Sequence, residues 1–278
     1  VSPAATAPDG PLVIITGAAG GIGSALARRW AREGARLALL DVDREGLDGL
    51  ARSLGDGGHD TPMTRVCDVT DEAACTSAVD DVVARFGGID VVVANAGRTH
   101  VSFVADTDMS VFRTIMDVNF FGAVHVVRAA LPALRARAGR IVVLSSVAGF
   151  APLSGRSGYA ASKHALHGFF TSLRGELAGD GVSVTLVCPS FVRTGIGAGA
   201  LGGDGGPATE ARTQVGRPLE PDRVADAVVR AAAARRRLLV LGTVGKLSWW
   251  MSRLAPRVYE AIMVRRLARE QARSGARR

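Results

Sequence analysis

The sequence predicts a doubly wound α/β domain with a seven-stranded parallel sheet, followed by a C-terminal helical extension. Three observations carry this reading. Short apolar runs alternate with helix-length amphipathic runs from Leu12 to Leu241. Strands that are apolar on both faces belong in a parallel sheet covered by helices on either side. A glycine cluster stands where the first strand must turn into the first helix, and after Leu241 apolar residues recur at helical spacing among Lys and Arg.

The first strand, Leu12–Thr16, is short, apolar and β-branched, which suits a buried position. Gly17, Gly20, Gly21, Ile22 and Gly23 follow it. A glycine here can take positive φ, and without a Cβ it lets backbone N–H groups approach a pyrophosphate. The helix from about Ile22 to Glu33 offers that phosphate its positive end. Asp41 closes the second strand, Arg36–Asp41. A carboxylate at that position can accept hydrogen bonds from adenosine ribose hydroxyls.

The third strand is Thr64–Cys67, and Asp68-Val69 after it offers a polar and an apolar contact for an adenine. A helix spans Glu72–Phe86. The fourth strand, Ile89–Ala94, leads into Asn95-Ala96-Gly97, where small residues leave space beside a cofactor. Asn95 reads equally as a turn residue capping the strand. Asn119 lies inside the helix Ser110–Arg137. On its own it reads as a structural amide with a buried partner.

The fifth strand, Arg140–Ser146, ends in a hydroxyl able to bond a substrate oxygen. Tyr159 and Lys163 are four apart at the head of the helix Tyr159–Ala178, so they share a face. An ammonium beside a phenol favours the phenolate and poises it for proton transfer. A solvated Tyr/Lys pair is the plainer reading of these two residues. The sixth strand is Val182–Cys188. A loop over 195–220 holds seven glycines between Gly195 and Gly206 and reads as a substrate lid. The helix Pro221–Ala234 and the strand Leu238–Leu241 complete the pattern, a Rossmann-type arrangement.

Composition bounds the alternatives. Hydrophobic residues make up 47% of the chain and mean hydropathy is +0.20, ample for a full core. Residues 1–10 read as a disordered lead without a basic n-region, and 11–244 as the domain. No apolar run reaches the roughly 20 residues that span a bilayer. Cys67, Cys75 and Cys188 have neither metal-ligand nor disulfide-framework spacing, which points to a reducing cytoplasm and to no metal site. The net charge of +8 is uneven: residues 235–278 carry 12 Lys/Arg against 2 Asp/Glu, which leaves the rest at −2. No nucleic-acid recognition motif accompanies this basic tail.

In the extension, 245–278, Leu247, Trp250, Met251 and Leu254 recur at helical spacing. Val258, Ile262, Met263 and Leu267 continue beyond Pro256, which should break or restart the helix. Such a segment packs on its own body or a partner subunit, or lies as a basic amphipathic helix against a membrane surface.

Taken together, Thr16-Gly-x-x-x-Gly-Ile-Gly23, Asn95-Ala-Gly97, Asn119, Ser146 and Tyr159-x-x-x-Lys163 resemble the short-chain dehydrogenase/reductase family over about Leu12 to Leu241. The resemblance implies a catalytic tetrad of Asn119, Ser146, Tyr159 and Lys163. It implies an oxidoreductase that interconverts a secondary alcohol and a ketone, with Tyr159 as general acid/base. Lys163 would lower the pKa of Tyr159 and hold the nicotinamide ribose, and Asn119 would support a proton relay. Pro189, Val192 and Thr194 match the segment that contacts the nicotinamide amide, although Ser190 stands where the family usually has Gly. The doubled Asn of the fourth-strand motif is Ala94-Asn95 here. Asp41, with no cation at Gly20 or Val42, implies NAD rather than NADP. The resemblance also implies a homodimer or homotetramer built through the Asn119 and Tyr159 helices. Pocket walls are expected from His100–Phe103, Phe150–Leu153 and the lid. Two other readings stand beside this one: a non-catalytic NAD-binding sensor or scaffold on the same fold, and the same chemistry on a lipid or steroid at a membrane surface.

Overall fold

The computed structural model describes residues 10–197, 199–209 and 216–275, with side chains as far as 265. The expected lead before Gly10, lid residues 198 and 210–215, and the side chain of Leu267 therefore lie outside the described residues. The strands are β1 (Leu12–Thr16), β2 (Arg36–Asp41), β3 (Met63–Val66), β4 (Val91–Ala94), β5 (Arg140–Leu144), β6 (Ser183–Pro189) and β7 (Leu238–Leu241). They form one parallel sheet in the order β3-β2-β1-β4-β5-β6-β7. The chain reverses direction across the sheet between β1 and β4, the switch point where such sheets open a crevice at their carboxyl ends.

Successive side chains of a strand point to opposite faces, and the core divides accordingly. Val13, Ile15, Leu37 and Leu39 face one layer with α1 (Gly21–Ala31), α2 (Arg44–Asp56) and α7 (Pro221–Ala233). Leu12, Ile14, Ala38 and Leu40 face the other, with α3 (Glu72–Phe86), α5 (Gly122–Ala136) and α6 (Ser157–Glu176). Strand β3 is the exception to the expected apolar pattern: Arg65 and Val66 are exposed on this edge strand, and Arg65 pairs with Asp81.

Three features of the fold bear on the site. The expected helix Ser110–Arg137 is α4 (Met109–Met116) running into α5 through a π-helical turn, Asp117–Phe121. By length and composition the whole span Met109–Ala136 is apolar enough to cross a membrane; its Val126, Val127, Ala130 and Leu134 are buried in the core.

Part of the expected lid is tied down by backbone bonds. Leu201 exchanges backbone hydrogen bonds with Thr99 and Val101, and Asp108 donates to Gly203. Residues 200–208 are thereby pinned to the segment after β4.

Third, the extension packs on the body as α8 (Thr243–Leu254) and α9 (Pro256–Gly275). Pro256 restarts the helix at the first position of α9, where its missing N–H costs nothing. Trp249 sits edge-on to Phe150, ring centroids 4.8 Å apart, and Gly245 is buried against Val147 and Val240.

Candidate active site

The glycine turn is shaped by contact. Gly17 has φ +62°, and a Cβ there would lie 2.8 Å from the Cα of Ala96, so the turn and the end of β4 interlock only with glycine at 17. Thr16 Oγ accepts the N–H groups of Asn95 and Ala96 at 3.0 and 3.1 Å. The Asn95 amide donates to the carbonyls of Thr16 and Gly17, both at 2.9 Å. Asn95 is thus a brace of the turn as well as a wall residue. Asp41 accepts from the N–H of Ala19 at 2.9 Å and of Asp43 at 3.1 Å, which fixes its carboxylate beside the turn.

The residues present fit a dinucleotide. No side chain caps the start of α1, so its first N–H groups point into the crevice for an anion. Thr194 faces the turn closely enough that a Cβ at Gly21 would meet its Cγ at 2.9 Å. A cavity of about 930 Å³ runs on from there, lined by Gly17, Gly20, Gly21, Ile22, Asp41, Asp68, Val69, Asn95, Ala96, Gly97, Pro189, Val192 and Thr194. Gly23 is not on this wall: it lies against the Gly17 carbonyl, where it lets α1 pack tightly.

Ser146, Tyr159 and Lys163 line the same cavity. Ser146 stands just past β5, its Oγ accepting the Ala148 N–H at 3.1 Å. Lys163 is buried; its ammonium donates to the Leu144 carbonyl at 2.8 Å and lies 5.7 Å from the Tyr159 ring centroid. Burial pushes the Lys163 pKa down to about 8. Tyr159 packs against Val111, Ile115 and Leu201.

Asn119 is placed differently from the other three. It is buried in the π-helical turn, behind the wall. Its Oδ1 accepts the Arg98 N–H at 2.7 Å, and its Nδ2 donates to the Arg98 carbonyl and to Ser162 Oγ at 2.9 and 2.8 Å. It clamps the segment after β4 onto α6, one residue before Lys163. A Cβ at Gly97 would lie 3.2 Å from its Oδ1 and 3.6 Å from Lys163 Nζ, so a side chain there would press on the Asn119 amide.

The substrate end departs from expectation. His100–Phe103 do not line the cavity. His100 is buried, pairing through its ring with Ser102 and Gly158. The walls are Ala151–Leu153, Arg156, Phe191 and Ile196, together with Leu247, Met251, Tyr259, Ile262 and Met263 of α8 and α9. Reading the sequence missed this contribution of the extension; its only signal was the helical recurrence of apolar residues beyond Leu241. Behind Lys163, His167 contacts Ser145 Oγ at 3.1 Å and Cys188 Sγ at 3.4 Å. Burial holds the His167 pKa down to about 4 and lifts the Cys188 thiol to about 12, so both are neutral at pH 7.

A doubly wound sheet with a glycine turn at its switch point and a Tyr/Lys pair in the adjoining cavity defines a dinucleotide-dependent oxidoreductase. The chain belongs to the short chain dehydrogenase family, which it matches over residues 11–201. Dehydrogenase/reductase SDR family member 7B of Xenopus tropicalis is 34% identical over 267 residues, 94% of this chain and 86% of that protein. Among solved structures, an alcohol dehydrogenase from the archaeon Thermococcus sibiricus, complexed with 5-hydroxy-NADP, is 28% identical with a TM-score of 0.72, covering 84% of this chain and 97% of that one. A short chain dehydrogenase/reductase from Burkholderia phymatum in complex with NAD is also 28% identical, with a TM-score of 0.74 and coverage of 83% and 88%.

Proposed function

We propose that this protein is an NAD-dependent oxidoreductase that interconverts an apolar secondary alcohol and its ketone. One observation carries the reading: Ser146, Tyr159 and Lys163 line the same cavity as the glycine turn and Asp41. The cofactor, when bound, supplies hydride transfer. The chain supplies the proton and the geometry. The Tyr159 phenol gives a proton to the substrate oxygen in reduction and takes it in oxidation. Lys163, held by the Leu144 carbonyl, presents a positive charge that favours the phenolate. Ser146 orients the substrate oxygen. Asn119 acts through others, fixing Arg98 and α6. Apolar side chains on the α8–α9 wall keep water from the reacting carbon.

We also read the protein as a cytoplasmic homodimer or homotetramer. Exposed Phe121 and Phe169, which flank Phe120 on neighbouring helices, support association through α5 and α6. Absorbance of reduced nicotinamide, followed with a panel of secondary alcohols and ketones, tests the main reading. Turnover that increases with the apolar size of the substrate is expected. Tight NAD binding without turnover of any substrate would instead indicate a sensor or scaffold.

A further inference from the structure

We propose that the α8–α9 hairpin seats the protein on an anionic lipid surface, with the mouth of the substrate cavity opening onto that surface. Six of the thirteen exposed large apolar side chains among the described residues are on this hairpin: Leu247, Trp250, Leu254, Val258, Ile262 and Val264. Leu254 is 76% exposed and Trp250 61%. Leu247, Trp250 and Leu254 share one face of α8, and Val258 and Ile262 share one face of α9. The flank of the hairpin beside this face is used inward, through Ser248, Met251, Tyr259 and Met263. So much outward apolar surface in one place marks an interaction site.

Charge selects the occupant. Lys246, Arg253, Arg257 and Arg265 are exposed along the same hairpin, and the sequence continues with Arg266, Arg269, Arg273, Arg277 and Arg278. Glu260 and Glu270 are the acidic residues among them. An apolar face bordered by cations, with a Trp on it, has the chemistry of a helix lying in an anionic lipid interface. A second copy placed on this face would bring two sets of these cations together. Nucleic acid would draw on the cations but leave the apolar face without a partner.

The patch also reaches the cavity: Leu247 and Ile262 are at once exposed and part of its wall. A lipid-soluble alcohol or ketone passes from the bilayer to Tyr159 along apolar side chains without crossing water. This delivery step rests on the oxidoreductase reading; the seating on lipid does not.

The test uses the full chain, sedimented with phosphatidylcholine vesicles with and without phosphatidylserine. Wild-type protein is expected to pellet with the phosphatidylserine vesicles and to be released by high salt. The double variants Trp250→Glu/Leu254→Glu and Arg257→Glu/Arg265→Glu should each bind at least about tenfold more weakly, with unchanged circular dichroism and melting temperature. Wild-type protein left in the supernatant overturns the proposal. So does sedimentation equilibrium in which the apolar variant turns a dimer into a monomer with no vesicle binding. For delivery, kcat/KM with a long-chain secondary alcohol in vesicles should fall in both variants, while that with a short water-soluble alcohol stays put. Equal losses on both substrates overturn delivery alone, and activity absent throughout removes the oxidoreductase reading without touching the binding result.

Discussion

His100 Nε2 accepts the backbone N–H of Gly158 at 3.0 Å, so a buried imidazole fixes the first turn of α6 one residue before Tyr159. The acceptor role requires the neutral ring with its proton on Nδ1, facing Ser102 Oγ at 3.1 Å. Burial, and then the charge of Arg156, push its pKa below the usual 6.5, which keeps the ring in that form.

His100→Leu leaves the Gly158 N–H buried without a partner, at a cost of about 1–3 kcal/mol. The melting temperature should fall by roughly 2–10 °C, and kcat should fall more than KM rises as Tyr159 loses its register. The sign of the pH effect follows from the depressed pKa. The stabilisation is complete above 6.5 and is lost as pH falls toward the folded-state value, where only the unfolded chain takes up the proton. The gap in melting temperature between wild type and variant should therefore narrow below pH 6.5. A constant gap down to pH 5 would mean that the imidazole does not act as the acceptor.

Tyr159→Phe removes the phenol that stands beside Lys163. Turnover should drop by about 10²–10⁴, with the NAD dissociation constant almost unchanged. Stopped-flow hydride transfer and fluorescence titration measure the two separately. Near wild-type turnover would remove Tyr159 from the chemistry.

Lys163 is a charge held in the interior, and it should weaken the unliganded fold. A pKa of about 8 against 10.5 in the unfolded chain corresponds to on the order of 3 kcal/mol of cost for burying the ammonium. Below pH 8 both states hold the proton and the cost is complete. Between 8 and 10.5 the native state has released the proton and the unfolded chain has not, so wild-type stability rises with pH. Lys163→Met should be inactive. Urea denaturation should show wild type gaining on it from pH 8 to 10. Parallel curves across that window would contradict a buried ammonium.

The parts legible in the sequence are local ones. The glycine turn, Asp41, Ser146 and Tyr159-x-x-x-Lys163 all lie at strand ends or in the first two turns of a helix, where residue type and period reveal the place. The π-helical turn at Asn119 was not legible, because one extra residue in a helical turn leaves the apolar pattern almost intact. The order within 200–208 was not legible either. It comes from backbone bonds to Thr99, Val101 and Asp108, which no side-chain pattern encodes. The α8–α9 wall was hidden because its position depends on contacts such as Trp249 with Phe150, far apart in the chain.

Cofactor choice turns on Asp41 and what surrounds it. Its two oxygens are held by Ala19 and Asp43 N–H groups, so the carboxylate cannot swing away from a group placed beside it. Each oxygen keeps a further lone pair for a ribose hydroxyl. A 2′-phosphate there would meet a fixed like charge in a partly desolvated site. Neither neighbouring position supplies a compensating cation. Gly20 has no side chain, and Val42 is apolar and 63% exposed. Arg44 opens α2 and is not among the residues that line the cavity. NAD should be preferred over NADP by roughly 10–100-fold in kcat/KM, the scale of one screened clash between unit charges. Asp41→Ala combined with Val42→Arg should narrow or reverse this, since it removes the repulsion and supplies a guanidinium able to grip a phosphate. Measuring kcat/KM for both cofactors on wild type and the double variant decides it. Equal values in the wild type, or a preference for NADP, would show that Asp41 does not stand beside the ribose.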